Sequence, residues 1–335
     1  MPWVAVASAP ADGLLGRVSL HPWDGGHRLG AEVAGVELPN PSWLTWSPDG
    51  RRLHVACEVE EGHVVTLAVE GGGPGVTLRL LSQASTGGSH PCHLALEGST
   101  LFAANYADGT ASVMDVVDGA ATEFLEVVRL TGRGPHPTRQ DGSFAHQVTP
   151  LGGDRVAVVN LGADEIVTYA VRGHRLVARQ TCGLPAGTGP RHLTRHAATG
   201  RAWVGGELAG TVVALKEDEG AFTVVGQCPA SGSDVENLVA HIWVDAAGER
   251  LILSNRGPDT LSVFDVTAEV PVLLAETASP AHPRQFHVEG QVVLVAGRDA
   301  DAVTTHDLER DAVSEARSEL PVSAPMCVAP QPATG

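Results

Sequence analysis

The chain has 335 residues, 43% of them apolar and 18% charged, which allows a large core and argues against general disorder. Its formal net charge is −17 and Lys216 is the sole lysine, so phosphate backbones and anionic lipid surfaces are disfavoured as partners. Apolar runs stay about four to seven residues long, far short of the ~20 that a membrane-spanning helix needs.

In chain order, residues 1–16 lack a basic n-region and a continuous apolar stretch, so no signal peptide is expected. Short β-prone runs follow at 3–7, 16–20 and 31–38. From Pro41 a unit of roughly fifty residues recurs. It opens with a small residue or proline and a β-prone run. A polar turn and a second run ending in a polar residue follow, then a small-residue turn and a third run. PSWLTWSPDGRRLHVACE starts at Pro41, PCHLALEGSTLFAAN at Pro91 and AHQVTPLGGDRVAVVN at Ala145. PRHLTRHAATGRAWVGGE starts at Pro190, AHIWVDAAGERLILSN at Ala240 and PRQFHVEGQVVLVAG at Pro283. A seventh opening, PMCVAP at Pro325, supplies one strand over 326–329. Four strands per unit at this period predict an all-β fold, a β-propeller. The three N-terminal runs and the C-terminal one complete a seventh blade, and closure removes the sheet edges that would otherwise invite aggregation. No composition shift marks a boundary, so residues 1–335 are read as one domain, with 71–75 and 132–137 as interblade loops.

In a propeller the first strand of each blade lines the central channel. The start of that strand and the end of the second lie at the same sheet edge, because the two form an antiparallel hairpin. Second-position residues of the units (Ser42, Cys92, His146, Arg191, His241, Arg284, Met326) should therefore crowd one channel mouth. With them should come the residues ending each second strand: Glu58, Asn105, Asn160, Glu207, Asn255 with Arg256, and Gly297 with Arg298. His146, Arg191, Glu207 and Arg256 come from three neighbouring blades, a set suited to proton transfer beside anion binding. Asn105, Asn160, His241, Arg284 and Arg298 are candidate substrate-binding or water-lining residues. His192 follows Arg191, so strand alternation would turn it to the other face, and the same rule separates Cys92 from His93.

The strings AHQVTP, NLGADEIVTYAV, GPRHLTRH, GGELAGTVVAL, SNRGPDTLSVFDV and HPRQFHV resemble the 6-phosphogluconolactonase-type lactonase family. That family is a seven-bladed propeller and includes a carboxymuconate-cyclising relative. Carried over by position, the resemblance implies a catalytic histidine at His146, arginines at Arg191 and Arg256, and a glutamate at Glu207. Asn160 stands where relatives often carry Asp, a change that would lower the pKa of a nearby His146. The implied activity is hydrolysis of a sugar lactone, with His146 as general base and the arginines on the substrate's anionic group and oxyanion. Glu207 would orient Arg191 or share the proton work.

A muconate-type lactonizing cycloisomerase would use similar arginines. A non-catalytic interaction scaffold would need exposed aromatic patches, and only 4% of the chain is aromatic. There is no GxSxG, HExxH or zinc-type cysteine spacing, so no metal or cofactor is expected. Five scattered cysteines without a CxxC pair fit a reducing, cytoplasmic setting. The expected partner is a small lactone or anionic sugar acid, with no nucleic acid and no membrane. The protein itself is read as a monomer or weak homo-oligomer.

Overall fold

A computed structural model describes residues 2–10 and 15–333. Residues 1 and 11–14, part of the opening stretch read for a leader, lie outside the described residues. Among the described residues the strands form seven four-stranded antiparallel sheets. Six are continuous in sequence: 41–85, 91–129, 145–183, 190–229, 238–278 and 283–321, called here blades 1 to 6. Blade 7 joins the C-terminal strand Pro325–Pro330 to Trp3–Ser8, Leu15–Pro22 and Ala34–Pro39. First strands of successive blades adjoin one another around the ring, and Pro325–Pro330 meets Pro41–Trp46 to close it. No helix among the described residues is long and apolar enough to cross a membrane.

The second strands read as nearly continuous apolar runs because both of their faces are covered. In Arg155–Asn160 of blade 3, Val156 and Val158 pack toward Phe102 and Val113 of blade 2. Ala157 and Val159 pack toward Leu193, Val204 and Val213 of blade 4. The core is thus a series of layers between blades. A buried valine in such a layer contributes roughly 1.5–3 kcal/mol. Prolines at 41, 91, 190, 283 and 325 open their first strands, where a missing N–H costs the ladder nothing.

Residues 71–75 join the third and fourth strands of blade 1 rather than two blades, and several strand boundaries differ from the sequence reading. The first strand of blade 5 is Leu238–Val244, because Leu238 and Val239 still pair with Arg256 and Asn255. The strand read at 31–38 is Ala34–Pro39, since pairing to Leu15–Pro22 begins only at Ala34.

Candidate active site

One backbone device recurs at the channel mouth. In every blade the first-strand ladder breaks at or next to its second residue. Pairing passes from Pro41 to Trp43, from Pro91 to His93, from Ala145 to Gln147 and from Pro283 to Gln285, leaving Ser42, Cys92, His146 and Arg284 at bulges. Blade 4 skips both Arg191 and His192, and blade 5 skips both Ala240 and His241. Met326 is skipped in blade 7. A bulge releases a residue from strict alternation and re-aims its side chain, which is why this series gathers at one mouth.

The second device is the residue that follows the last rung of each second strand. Cys57, Asn105, Asn160, Gly206 and Gly297 close the rung with the third strand. The next residues (Glu58, Tyr106, Leu161, Glu207, Arg298) donate their backbone N–H to a carbonyl just before the blade opens, at 2.8–3.1 Å. Their backbones are pinned alike and their side chains are free to differ.

Glu207 is the hub. Its Oε1 accepts a hydrogen bond from Arg139 Nη2 at 2.6 Å. Its Oε2 lies 3.0 Å from Arg256 Nη2 and 3.1 Å from Arg191 Nε, the latter as an ion pair off the hydrogen-bonding line. Arg191 Nη1 donates to Ala240 O at 2.8 Å, and Arg256 donates to Leu238 O and Val239 O. Glu207, Arg191, Arg256 and His146 are all buried. Burial by itself would raise the Glu207 carboxyl, but Arg256, Arg191 and Arg139 outweigh it and hold it well below the usual carboxylate range. Burial, then the charges of Arg256 and Arg284, pulls Arg191 down to about 9, so it stays cationic at neutral pH.

His146 sits beside this cluster. Burial, followed by repulsion from Arg191, lowers its pKa well below the ordinary value, leaving a neutral imidazole. Its ring meets Tyr106 edge-on with centroids 5.5 Å apart. The Cys92 thiol donates to the His146 carbonyl at 3.3 Å. Behind it the channel holds His192, His93 and Trp43, with His241 against Phe286. His192 Nδ1 and His241 Nδ1 are 2.8 Å apart. Alternation does not separate Arg191 from His192, because both lie in the skipped stretch of the ladder: Arg191 Nη1 lies 3.4 Å from both ring nitrogens of His192.

The four residues named by the resemblance therefore converge. Arg284 faces the same mouth, with Nη2 3.6 Å from Glu58 Oε2. Asn105 and Asn160 do not join the cluster. Asn105 is fully buried and donates to Thr110 and Ser112 of its own blade. Asn160, also fully buried, accepts from Phe144 N and donates to Ser143 and Glu165. Its amide is thus engaged in its own blade rather than at His146. Arg298 turns to its neighbour Asp299 at 2.6 Å and approaches His282.

Sequence reading missed Arg139 and Tyr106. Tyr106 was one residue beyond the asparagine that drew attention. Arg139 lies in the connection between blades 2 and 3, held down by buried Gln140, which bonds Leu161 O and Asp164 Oδ1. Asp164 in turn accepts from Gly187 N and Gly189 N, just before blade 4 opens.

The family described as "Lactonase, 7-bladed beta-propeller" matches residues 23–330, and the chain belongs to it. Its class is accordingly that of a lactonase enzyme. The chain is 26% identical over 311 residues to the 6-phosphogluconolactonase of Bacillus subtilis, covering 88% of each. The structure of the periplasmic gluconolactonase of Pseudomonas aeruginosa superposes with a TM-score of 0.89 at 25% identity, over 98% of this chain and 99% of that one. A Lactobacillus plantarum protein gives 0.90 at 27% identity, over 98% and 99%.

Proposed function

We propose that this protein hydrolyses a sugar lactone of the 6-phosphogluconolactonase type at the arginine-lined channel mouth, by general acid/base chemistry. The observation that carries the reading is a neutral, buried His146 beside two arginines fixed on an ionised Glu207. His146 takes a proton from water, and the resulting hydroxide attacks the lactone carbonyl carbon. The oxygen that gains charge faces Arg191 and Arg256, whose positions are set in advance, so little reorganisation is needed as charge develops. The ring C–O bond then breaks and the His146 imidazolium returns its proton to the departing alkoxide, which stays tethered as a hydroxyl. Glu207, held ionised among three guanidiniums, orients them rather than carrying the proton. This chemistry calls on no metal. The free cysteines among the described residues support a reducing compartment, the cytoplasm, as its location.

The test is proton release from freshly generated 6-phosphogluconolactone, corrected for spontaneous opening, with wild type beside His146→Ala. Loss of roughly 10²–10⁴ in turnover is expected for the variant. Wild-type turnover in His146→Ala would remove His146 from the mechanism. The acid limb of kcat/KM should lie below pH 6.5, because the base stays unprotonated until its lowered pKa is reached. A wild type inactive on this lactone and on unphosphorylated sugar lactones, yet closing muconates, would favour the cycloisomerase instead.

A further inference from the structure

Arg284 stands apart from the other guanidiniums at the mouth. Arg139, Arg191 and Arg256 all converge on Glu207. Arg284 projects from the bulge of blade 6 with its side chain 17% exposed, and it donates no hydrogen bond to any described residue. Its one ion-pair partner among the described residues is Glu58, 3.6 Å away, too far for a hydrogen bond. Glu58 Oε2 is itself buried and without a hydrogen-bond partner. Glu58 and Glu207 hold the same place after the last rung of blades 1 and 4, each with its N–H on the carbonyl before its blade opens. One is saturated by three arginines, the other loosely faced by one.

Two physical points follow. A guanidinium offers five N–H donors in a planar fork, and leaving them unmatched in a half-buried site is costly unless water or a ligand meets them. Four guanidiniums also face only two carboxylates here, so the mouth is cationic in a chain whose net charge is −17. The charge of Arg284 acts on Arg191, Arg256 and His146, so it belongs to the same field as the reacting centre.

We propose that Arg284 is a specificity-determining residue that receives a second anionic group of the substrate, a phosphate or carboxylate remote from the lactone carbonyl. The inference rests on the reading that the carbonyl end lies at Arg191 and Arg256. Glu58 is then the weak partner that Arg284 gives up on binding, and the planar fork suits either oxyanion bidentately.

Calorimetric binding of 6-phosphogluconate, glucarate and gluconate tests this in wild type, Arg284→Gln, Arg284→Lys and Glu58→Gln. Wild type should prefer the doubly anionic acids to gluconate, and the larger preference identifies the phosphate or the carboxylate as the natural group. Arg284→Gln should reduce that preference roughly 10- to 100-fold, with Arg284→Lys between the two. Glu58→Gln should tighten the doubly anionic acids several-fold, since it removes a competing charge. Thermal unfolding monitors the fold of each variant. A wild type without the preference, or an Arg284→Gln that weakens all three acids equally, would overturn the proposal. A protein that keeps the preference but opens no lactone would refute the hydrolase reading and leave the anion site standing.

Discussion

Two rings of residues at the same mouth, one position apart in sequence, do opposite things. On the last rung of the second strands, Asn105 and Asn255 spend their amides on their own hairpins, on Thr110 with Ser112 and on Thr260 with Ser262. One residue later stand Tyr106 and Arg256, with Glu207 at the same place in blade 4, and these meet His146, Arg191 and Arg139. At Asn105 and Asn255 the inner side chain closes the hairpin, while in blade 4 that place is held by Gly206. In the outer ring the backbone is already pinned, so the side chain is free to carry chemistry. The propeller thus confines variation to a place where the ladder is complete and loses nothing by it.

The hardest test of this division is Glu207→Gln, which keeps the shape and removes the charge. Arg191, Arg256 and Arg139 would then face one another with no counter-charge, two of them buried. A fall of at least about 10³ in kcat/KM is expected. Stability should fall by roughly 3–5 kcal/mol, the usual cost of breaking a buried ion pair from one side. Steady-state rates and denaturant unfolding read the two effects separately. An unchanged rate would mean that the outer ring is only scaffold.

Asn105→Ala sharpens the contrast from the other side. Two hydrogen bonds to buried hydroxyls disappear, and a loss of about 1–3 kcal/mol in unfolding free energy is expected. Activity should stay within about threefold, because Asn105 touches none of the charged residues. If Asn105→Ala instead lost activity as Glu207→Gln does while unfolding normally, the two rings would share one role.

The blades were legible because proline or alanine openings and doubly buried apolar runs recur at a spacing of roughly fifty residues. His146, Arg191, Glu207 and Arg256 were legible because polar residues are conspicuous at the ends of such runs, and the resemblance gave them roles. What stayed hidden depends on local hydrogen bonding. Tyr106 and Asn105 differ only in which of them closes the rung with Thr110, and that requires the hairpin register. His192 shares the channel with Arg191 because two residues are skipped in the ladder, and a skip has no sequence mark. Arg139 lies in a connection with no period at all, fixed through its neighbour Gln140 by Leu161 and Asp164, which are distant in sequence.

The delivery of Arg139 can be broken without touching the site, through Gly162. A Cβ at Gly162 would collide with Gly142 O and with the Phe144 ring, so this close approach requires glycine. Gly162→Ala should lift the connection, carrying Arg139 off Glu207 and Phe144 off Tyr106, on which it now stacks with centroids 5.0 Å apart. Crowding of this kind costs about 1–3 kcal/mol. The loss in kcat/KM should be only several-fold, roughly 1 kcal/mol, because Arg191 and Arg256 still hold Oε2 of Glu207. The informative comparison is the cycle of Gly162→Ala with Arg139→Gln. If the effect travels through Arg139, the double variant is no slower than Arg139→Gln alone. If the two losses multiply, Gly162 acts through Phe144 and Tyr106, and the connection shapes the His146 side of the mouth instead.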